Sequence, residues 1–289
     1  MSKIFLVDLS RCTGCYNCQL ACKDEHVGND WSPYAKPQPE VGHFWMKLNE
    51  VERGSGSLTR VSYIPTLCAH CDNAPCMNVC PENAIYRRDD GIVIIDPGKC
   101  DGCEECISAC PYGAIYWNED LRIAQKCTGC AHLLDQGWKE PRCVEACPTG
   151  ALKFGDEEEL RDTLSGSEAV LPVIAGDAID LKDMSQFKPK LRYLSADLLK
   201  PFLAGSIYDP EADEVLQGAK VTLIDKGADS SEWMLTDEFG DFKFTSLKLH
   251  GSYSVRVEKD GYYSRTIDVP NLDKDMNLGD IELYKIPVA

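Results

Sequence analysis

The pattern of apolar and polar positions predicts only short elements in the first part of the chain. Ile4–Val7 is a compact apolar run that ends at an aspartate, which predicts a strand. Two strand pairs are predicted across polar turns, the first formed by Asn83–Tyr86 and Ile92–Ile95, the second by Tyr112–Tyr116 and Leu121–Ala124. Long helices are therefore not expected in this part of the chain.

From residue 201 onward the pattern changes to alternation with a period of two, interrupted by turn residues at 238–240 and 259–261. This pattern predicts about seven strands and hence an all-β, immunoglobulin-like sandwich. The predicted strands are Gly205–Asp209, Ala219–Ile224, Trp233–Thr236, Asp241–Phe244, Tyr253–Val257, Ser264–Val269 and Ile281–Tyr284.

Two connecting segments are less regular. Asp156–Leu164 is predicted to be a helix capped by Asp156, and residues 165–200 are predicted to wrap around the first domain. Gly28–Val61 is too long and too rich in aromatic residues for a simple connection, so we expect either a partner-docking surface or a flap over a buried site. The expected organisation is a domain at 1–153, a helix and linker at 154–200, and a sandwich at 201–289.

All sixteen cysteines lie within the first domain, in four runs of four. The first and third runs have the spacing C-x2-C-x2-C-x3-C, which is typical of [4Fe–4S] cubane sites. Zinc is the main alternative, but three runs place a third cysteine close to the first two, which suits the corners of a cube better. The runs are Cys12, Cys15, Cys18 and Cys22; Cys68, Cys71, Cys76 and Cys80; Cys100, Cys103, Cys106 and Cys110; and Cys127, Cys130, Cys143 and Cys147.

The last cysteine of such a run ligates the cluster of a partner run, so the runs must pair. The second and third runs are separated only by a predicted strand pair, which favours nested pairing over sequential pairing. The nested arrangement predicts four [4Fe–4S] clusters in two ferredoxin-like modules, so the expected fold class is α+β followed by the sandwich. Clusters one to four then take, in order, Cys12, Cys15, Cys18 and Cys147; Cys127, Cys130, Cys143 and Cys22; Cys68, Cys71, Cys76 and Cys110; and Cys100, Cys103, Cys106 and Cys80.

The net charge and the lack of a catalytic constellation favour an electron carrier without a substrate site of its own. The formal net charge is -17, which argues against nucleic acid and anionic membranes as partners. We find no secretion signal, no apolar stretch long enough for membrane insertion and no catalytic constellation, so we expect a cytoplasmic protein. Neither His70 nor His132 is expected to bind metal, whereas Lys23 and Lys126 are expected to raise the potentials of neighbouring clusters.

The four-run layout resembles the four-cluster electron-transfer subunits of the dimethyl sulfoxide reductase family of molybdopterin oxidoreductases. Within that family it is most similar to the small subunits of pyrogallol–phloroglucinol transhydroxylase and resorcinol hydroxylases. The resemblance implies nested ligation, a transthyretin-like C-terminal sandwich, and a large partner subunit that holds a molybdenum or tungsten pterin. The segments that carry it are GHFWM at 42–46, CAHCDNAPC at 68–76, DGIVIIDP at 90–97, CPYGAIYWN at 110–118 and QKCTGCAHLLD at 125–135.

One departure bears on function. The transhydroxylase small subunit keeps three clusters, whereas the second and third runs are complete here. A fourth cluster suits net electron exchange with an outside donor or acceptor. The resemblance itself implies a partner that hydroxylates, dehydroxylates or transhydroxylates phenols. Two alternatives stay open: a subunit of an oxyanion, sulfur or formate enzyme, and a free-standing polyferredoxin.

Overall fold

The structure, a computed structural model, describes residues 2–287 and divides into two compact units. The first unit runs through Glu50 and adds Tyr63–Leu171 and Lys182–Ala196. The second unit comprises Val51–Ser62, Pro172–Leu181 and the chain from Asp197 onward. None of the helices within residues 2–287 is long and apolar enough to cross a membrane.

The elements up to residue 196 are short, as the apolar pattern predicts. The helices are α1 Asn17–His26, α2 Pro75–Asn78, α3 Glu105–Ala109, α4 Ala131–Asp135, α5 Arg142–Glu145 and α6 Arg161–Leu164. The strands are β1 Lys3–Asp8, β2 Met46–Arg53, β3 Arg60–Leu67, β4 Ile85–Arg87, β5 Val93–Ile95, β6 Ile115–Asn118, β7 Ile123–Lys126, β8 Leu152–Asp156, β9 Val170–Ala175, β10 Ala178–Asp183 and β11 Leu191–Leu194.

Strand β1 is the centre of the first unit's three-stranded sheet, whose order is β11-β1-β8. Its four apolar residues, Ile4 to Val7, are at most 3% exposed, which confirms the predicted strand. It runs parallel to β11 and antiparallel to β8, with Val7 opposite Leu152. Because the chain leaves β1 toward Cys12 and enters β8 from Cys147, this pairing brings the first and fourth cysteine runs to the same end of the sheet.

Two hairpins position the other runs. In the first, Ile85 of β4 lies opposite Ile95 of β5, so the end of the second run and the start of the third come close together. In the second, Ile115 of β6 lies opposite Lys126 of β7, which brings the end of the third run to the start of the fourth. Helix α1 packs against α5, and α2 packs against α3.

The connecting segment differs from the sequence prediction. The helix expected over 156–164 begins only at Arg161, and its N-cap is Leu160 instead of Asp156. Asp156 is the last residue of β8, where its carboxylate accepts a hydrogen bond from Lys3 Nζ at 3.0 Å, so it is held in the sheet. Residues 165–200 also contain three strands, and one of them, β11, extends the central sheet.

The second unit contains two four-stranded sheets that share one core, as expected for a sandwich. One sheet has β12 beside β13, β16 and β19, and the other has the order β15-β14-β17-β18. The core includes Ile207 and Phe242 from the first sheet and Val221 and Val255 from the second. The strands are β12 Leu203–Asp209, β13 Glu214–Val215, β14 Lys220–Asp225, β15 Ser230–Leu235, β16 Asp241–Phe244, β17 Gly251–Glu258, β18 Arg265–Leu272 and β19 Met276–Glu282.

A buried ion pair fixes one edge of the second unit. Arg53 Nη2 donates to Asp275 Oδ1 at 2.8 Å, and both side chains are at most 2% exposed. The same carboxylate oxygen accepts from the backbone N–H of Phe202 at 3.1 Å, and Arg53 also donates to the carbonyl of Lys200 at 2.9 Å. Each charge therefore has hydrogen-bond partners, which a buried pair requires.

We predict that Asp275→Ala destabilises the second unit by about 3–5 kcal/mol, because it leaves the Arg53 guanidinium buried without its counter-charge. Amide hydrogen exchange of β14 and β17 in the intact chain measures this free energy. The control is Lys274→Ala, which breaks the exposed pair with Asp177 and should cost at most about 1 kcal/mol. Equal effects of the two variants would contradict the role given to the buried pair.

Candidate iron–sulfur site

The four cysteine runs share one backbone feature. The residue before the second cysteine has a left-handed conformation in every run, with φ of 72° at Gly14, 42° at His70, 80° at Gly102 and 60° at Gly129. Left-handed residues turn successive backbone N–H groups toward one point, which forms a site for an anion. Accordingly, the N–H of Gly129 donates to Cys127 Sγ at 3.3 Å.

A second repeated feature follows the last cysteine of each proline-terminated run. Asn83, Gly113 and Gly150 are left-handed, with φ of 49°, 57° and 63°. Their N–H groups donate to the carbonyls of Cys80, Cys110 and Cys147 at 3.3, 3.1 and 3.3 Å. The proline stops the helix, because it lacks an N–H and disfavours a helical residue before it. The chain then turns into the next strand.

The first run lacks the proline that follows the other runs, and its helix is therefore longer. Lys23 stands where the other runs have proline, and α1 continues past Cys22 to His26. His26 lies one helical turn beyond Cys22, on the same face of α1. It is 2% exposed, and its Nε2 lies 3.8 Å from Cys130 Sγ. Sequence reasoning missed this residue, although the i,i+4 spacing from Cys22 was the available signal.

The structure brings Cys147 of the fourth run to the first run. Burial raises the pKa of the Cys18 thiol to about 12, and charge on Cys12, Cys147 and Cys15 adds to the rise. Burial also raises the pKa of Cys12, with further contributions from Cys147 and Cys15. These four thiols form the first set.

A second set joins Cys22 of the first run to the fourth run. Burial raises the pKa of Cys22 well above its ordinary value, followed by charge on Cys127 and Cys130. Burial has the same effect on the pKa of Cys143, followed by charge on Cys22, Cys130 and Cys127. All four thiols are buried.

The third set lines a partly enclosed pocket. Its thiols are Cys68, Cys71 and Cys76 of the second run and Cys110 of the third run. Burial raises the pKa of Cys71 to about 12, and charge on the other three thiols adds to this effect. The pocket thus brings three thiols of the second run together with Cys110 of the third run.

The fourth set contains Cys100, Cys103 and Cys106. Burial raises the pKa of Cys106 to about 12, with charge on Cys100, Cys76 and Cys103 contributing next. The β4–β5 hairpin and the packing of α2 against α3 bring the end of the second run, where Cys80 lies, toward the third run. Cys80 itself is half-buried.

Neighbouring thiols connect the four sets in one order. Charge on Cys18 contributes to the raised pKa of Cys22, so the first set adjoins the second. Burial raises the pKa of Cys127 to about 12 and charge on Cys68 adds to the rise, which joins the second set to the third. Charge on Cys76 contributes to the raised pKa of Cys106, so the third set adjoins the fourth. Exposed thiols occur only in the two outer sets, at Cys15 and Cys103.

Buried polar atoms test whether these sets suit an anionic cluster. His70 Nε2, Tyr112 Oη and Thr128 Oγ1 are buried without a hydrogen-bond partner among the described residues, and each lies in or beside a cysteine run. His70 Nδ1 accepts from the N–H of Val93 at 3.1 Å, so its Nε2 carries the proton and is free to donate. Cluster sulfurs accept such hydrogen bonds, and the residues present therefore fit.

Within residues 2–287, no three His, Cys, Asp or Glu side chains converge closely enough to hold a single metal ion. A cubane holds its four thiolates farther apart than one ion does, because each thiolate binds a different iron. His132 is engaged elsewhere, with Nε2 2.9 Å from Glu25 Oε1.

The segment after α1 packs against residues that flank the second set. The ring of Trp31 stacks on His132 with centroids 4.2 Å apart. Gln125 Nε2 donates to the carbonyls of Lys36 and Pro37 at 2.9 and 3.1 Å, and Lys23 Nζ donates to that of Gly42 at 2.9 Å. These contacts support the flap, one of the two interpretations that the sequence left open.

Family models match both parts of the chain. Residues 59–157 match a 4Fe-4S dicluster domain, and residues 9–28 match a 4Fe-4S binding domain. Residues 203–283 match a carboxypeptidase regulatory-like domain. The chain therefore carries [4Fe–4S] clusters in its first part and a carboxypeptidase regulatory-like sandwich in its second.

Two curated relatives match about half of the chain. A probable anaerobic dimethyl sulfoxide reductase chain of Escherichia coli K12 is 41% identical over 170 residues, which are 58% of this chain and 80% of that protein. A chain of the tetrathionate reductase of Salmonella typhimurium is 41% identical over 135 residues, 46% of this chain and 49% of its own length.

A third relative matches throughout. The pyrogallol hydroxytransferase small subunit of Pelobacter acidigallici is 37% identical over 286 residues, covering 96% of this chain and 98% of its own. The match includes the cysteine runs and the C-terminal sandwich. The chain thus belongs to the family of iron–sulfur proteins that contains the pyrogallol hydroxytransferase small subunit.

Proposed function

We propose that this chain is the electron-transfer subunit of a molybdopterin oxidoreductase and that it relays electrons through four [4Fe–4S] clusters. The observation that carries the proposal is the order of the four thiol sets, in which two inner sets without exposed thiols lie between two outer sets that each have one exposed thiol. Such an order suits entry of electrons at one end and exit at the other.

The proposed ligands are the sixteen cysteines in nested sets. The first set takes Cys147 from the fourth run, and the fourth run takes Cys22 from the first. Likewise the second run takes Cys110, and the third run takes Cys80. Each cluster, when bound, supplies a one-electron redox centre, and the protein supplies thiolates, N–H donors and exclusion of water.

The partner that we propose is a large catalytic subunit holding a molybdenum or tungsten pterin. The full-length relative is named as a small subunit of a pyrogallol hydroxytransferase, which supports hydroxylation, dehydroxylation or transhydroxylation of a phenolic ring as the reaction of the complex. Four complete runs favour net electron exchange with an external donor or acceptor. We propose the cytoplasm as the compartment, since reducing conditions preserve free thiols.

A second candidate is a subunit of an oxyanion or sulfur enzyme. It is favoured by the similarity of part of this chain to dimethyl sulfoxide and tetrathionate reductase chains. Those matches cover 58% and 46% of this chain, whereas the pyrogallol hydroxytransferase match covers 96%. The phenolic hypothesis therefore accounts for more of the chain.

We predict that Cys110→Ala damages the cluster of Cys68, Cys71 and Cys76, although Cys110 belongs to the third run. The reason is that Cys110 lines the pocket of those three thiols. The measurement is iron content with electron paramagnetic resonance of the anaerobically purified chain. One of the four cluster signals should convert to a three-iron signal or disappear.

Two matched variants locate the lost signal. Cys71→Ala should remove the same signal as Cys110→Ala, and Cys100→Ala should remove a different one. Wild type should bind sixteen irons, four for each proposed set. Loss of one common signal in Cys110→Ala and Cys100→Ala would contradict nested pairing, and clearly fewer than sixteen irons would contradict four clusters.

We also predict that the chain, purified anaerobically from its native source, carries a larger subunit containing pterin with molybdenum or tungsten. Metal and pterin analysis of the purified material checks this, and turnover of a panel of phenols tests the substrate class. A stable monomer that exchanges electrons with several unrelated enzymes would instead favour a free-standing polyferredoxin.

A further inference from the structure

Lys126 is a buried cation at the end of β7, immediately before the fourth cysteine run. The residue is 2% exposed. Its Nζ donates to the carbonyl of Cys127 at 3.0 Å and to the carbonyl of Val93 on β5. The first of these bonds places the ammonium beside the second thiol set, to which Cys127 belongs.

The same side chain also lines the pocket of the third set, together with Cys68, Cys71, Cys76 and Cys110. The hairpin register explains this position, because Lys126 lies opposite Ile115, which follows Cys110 closely along the chain. Burial raises the pKa of Cys76 to about 11 and that of Cys110 also, and in both cases the positive charge of Lys126 opposes the rise. The ammonium thus faces thiols of both inner sets.

Lys126 has no carboxylate partner among the described residues. Lys190 is a useful contrast, because it is 8% exposed and pairs with Asp72 and Glu157 at 3.1 and 3.0 Å. Lys23, the other lysine adjacent to a cysteine of the inner sets, is only part-buried. Burial of an unpaired ammonium costs several kcal/mol. An anionic cluster bound by each of the two adjoining thiol sets would offset that cost.

We infer that Lys126 is the shared counter-ion of the two inner clusters and that it raises the reduction potential of both. This inference rests on the ligand sets proposed above. An oxidised cubane with four thiolates carries about two negative charges, and one added electron makes it more negative. A fixed positive charge stabilises the reduced form more than the oxidised form, so it favours residence of the electron in the middle of the relay.

A purely structural role for Lys126 makes a different prediction. Its hydrogen bonds tie β5 to the start of the fourth run, and a neutral amide could still donate to those carbonyls. Lys126→Gln removes the charge and keeps a donor, whereas Lys126→Arg keeps the charge. If the side chain served only as a hydrogen-bond donor, the inner clusters would have the same reduction potentials in Lys126→Gln and Lys126→Arg.

The experiment is a redox titration of the anaerobically purified, cluster-loaded chain, followed by electron paramagnetic resonance. Signals of the inner clusters are identified by their loss in Cys22→Ala and Cys110→Ala. In Lys126→Gln, the reduction equilibrium of both inner clusters should shift at least tenfold toward the oxidised form, which is a potential lower by about 59 mV. The outer clusters should shift less.

Two control variants define the comparison. Lys126→Arg should keep both inner potentials close to wild type. Lys139→Gln removes the same charge at an exposed position of the fourth run and should leave all four potentials unchanged, because water and salt screen it.

The outcomes separate the counter-ion role of Lys126 from the proposed electron relay. A shift of less than threefold in Lys126→Gln, or an equal shift of all four clusters, overturns the inference while sixteen bound irons still support the relay. If Lys126→Gln loses iron, retention of iron and potentials in Lys126→Arg supports the need for charge, and loss of iron in both variants overturns it. Fewer than sixteen irons in wild type would count against the relay itself.

Discussion

The antiparallel pairing of β1 with β8 is the constraint on which the arrangement of the cysteines depends. It joins the two ends of the cysteine-rich part, so that Cys12 and Cys147 meet although most of the first unit lies between them in sequence. The two hairpins β4–β5 and β6–β7 then fix the remaining runs between these ends. The order of the four thiol sets follows from one antiparallel pairing between strands that are distant in sequence and from two local hairpins.

The short helices serve the same arrangement. Proline after the last cysteine stops α2, α3 and α5 within five residues, and a left-handed residue then turns the chain into a strand. The buried thiols share the space between the runs with apolar residues of the hairpins, such as Ile85 and Ile94. Cluster binding and folding of this unit should therefore be strongly coupled, as in other small metal-binding domains.

Much of this could be predicted from the sequence, because its signals are local. Cysteine spacing identified the four runs, and apolar runs identified β1 and both hairpins. The prediction of a helix that begins at Asp156 was wrong, because Lys3, which is distant in sequence, holds that carboxylate in β8. Strand β11 was missed for a similar reason, since its pairing with β1 is not visible in its own composition. In the sandwich, β13 has only two residues and carries no periodic signal. The position of Lys126 between two thiol sets likewise depends on hairpin register, which sequence alone does not fix.

We propose that four cubanes lie in series, with the clusters of the first and fourth runs adjacent at one end. The decisive measurement is anomalous scattering at the iron absorption edge, from crystals grown without oxygen. We expect sixteen iron positions in four cubes, in the order of the sets that contain Cys12, Cys127, Cys68 and Cys100. Fewer cubes, or a cube of the first run adjoining that of the second run, would rule this arrangement out.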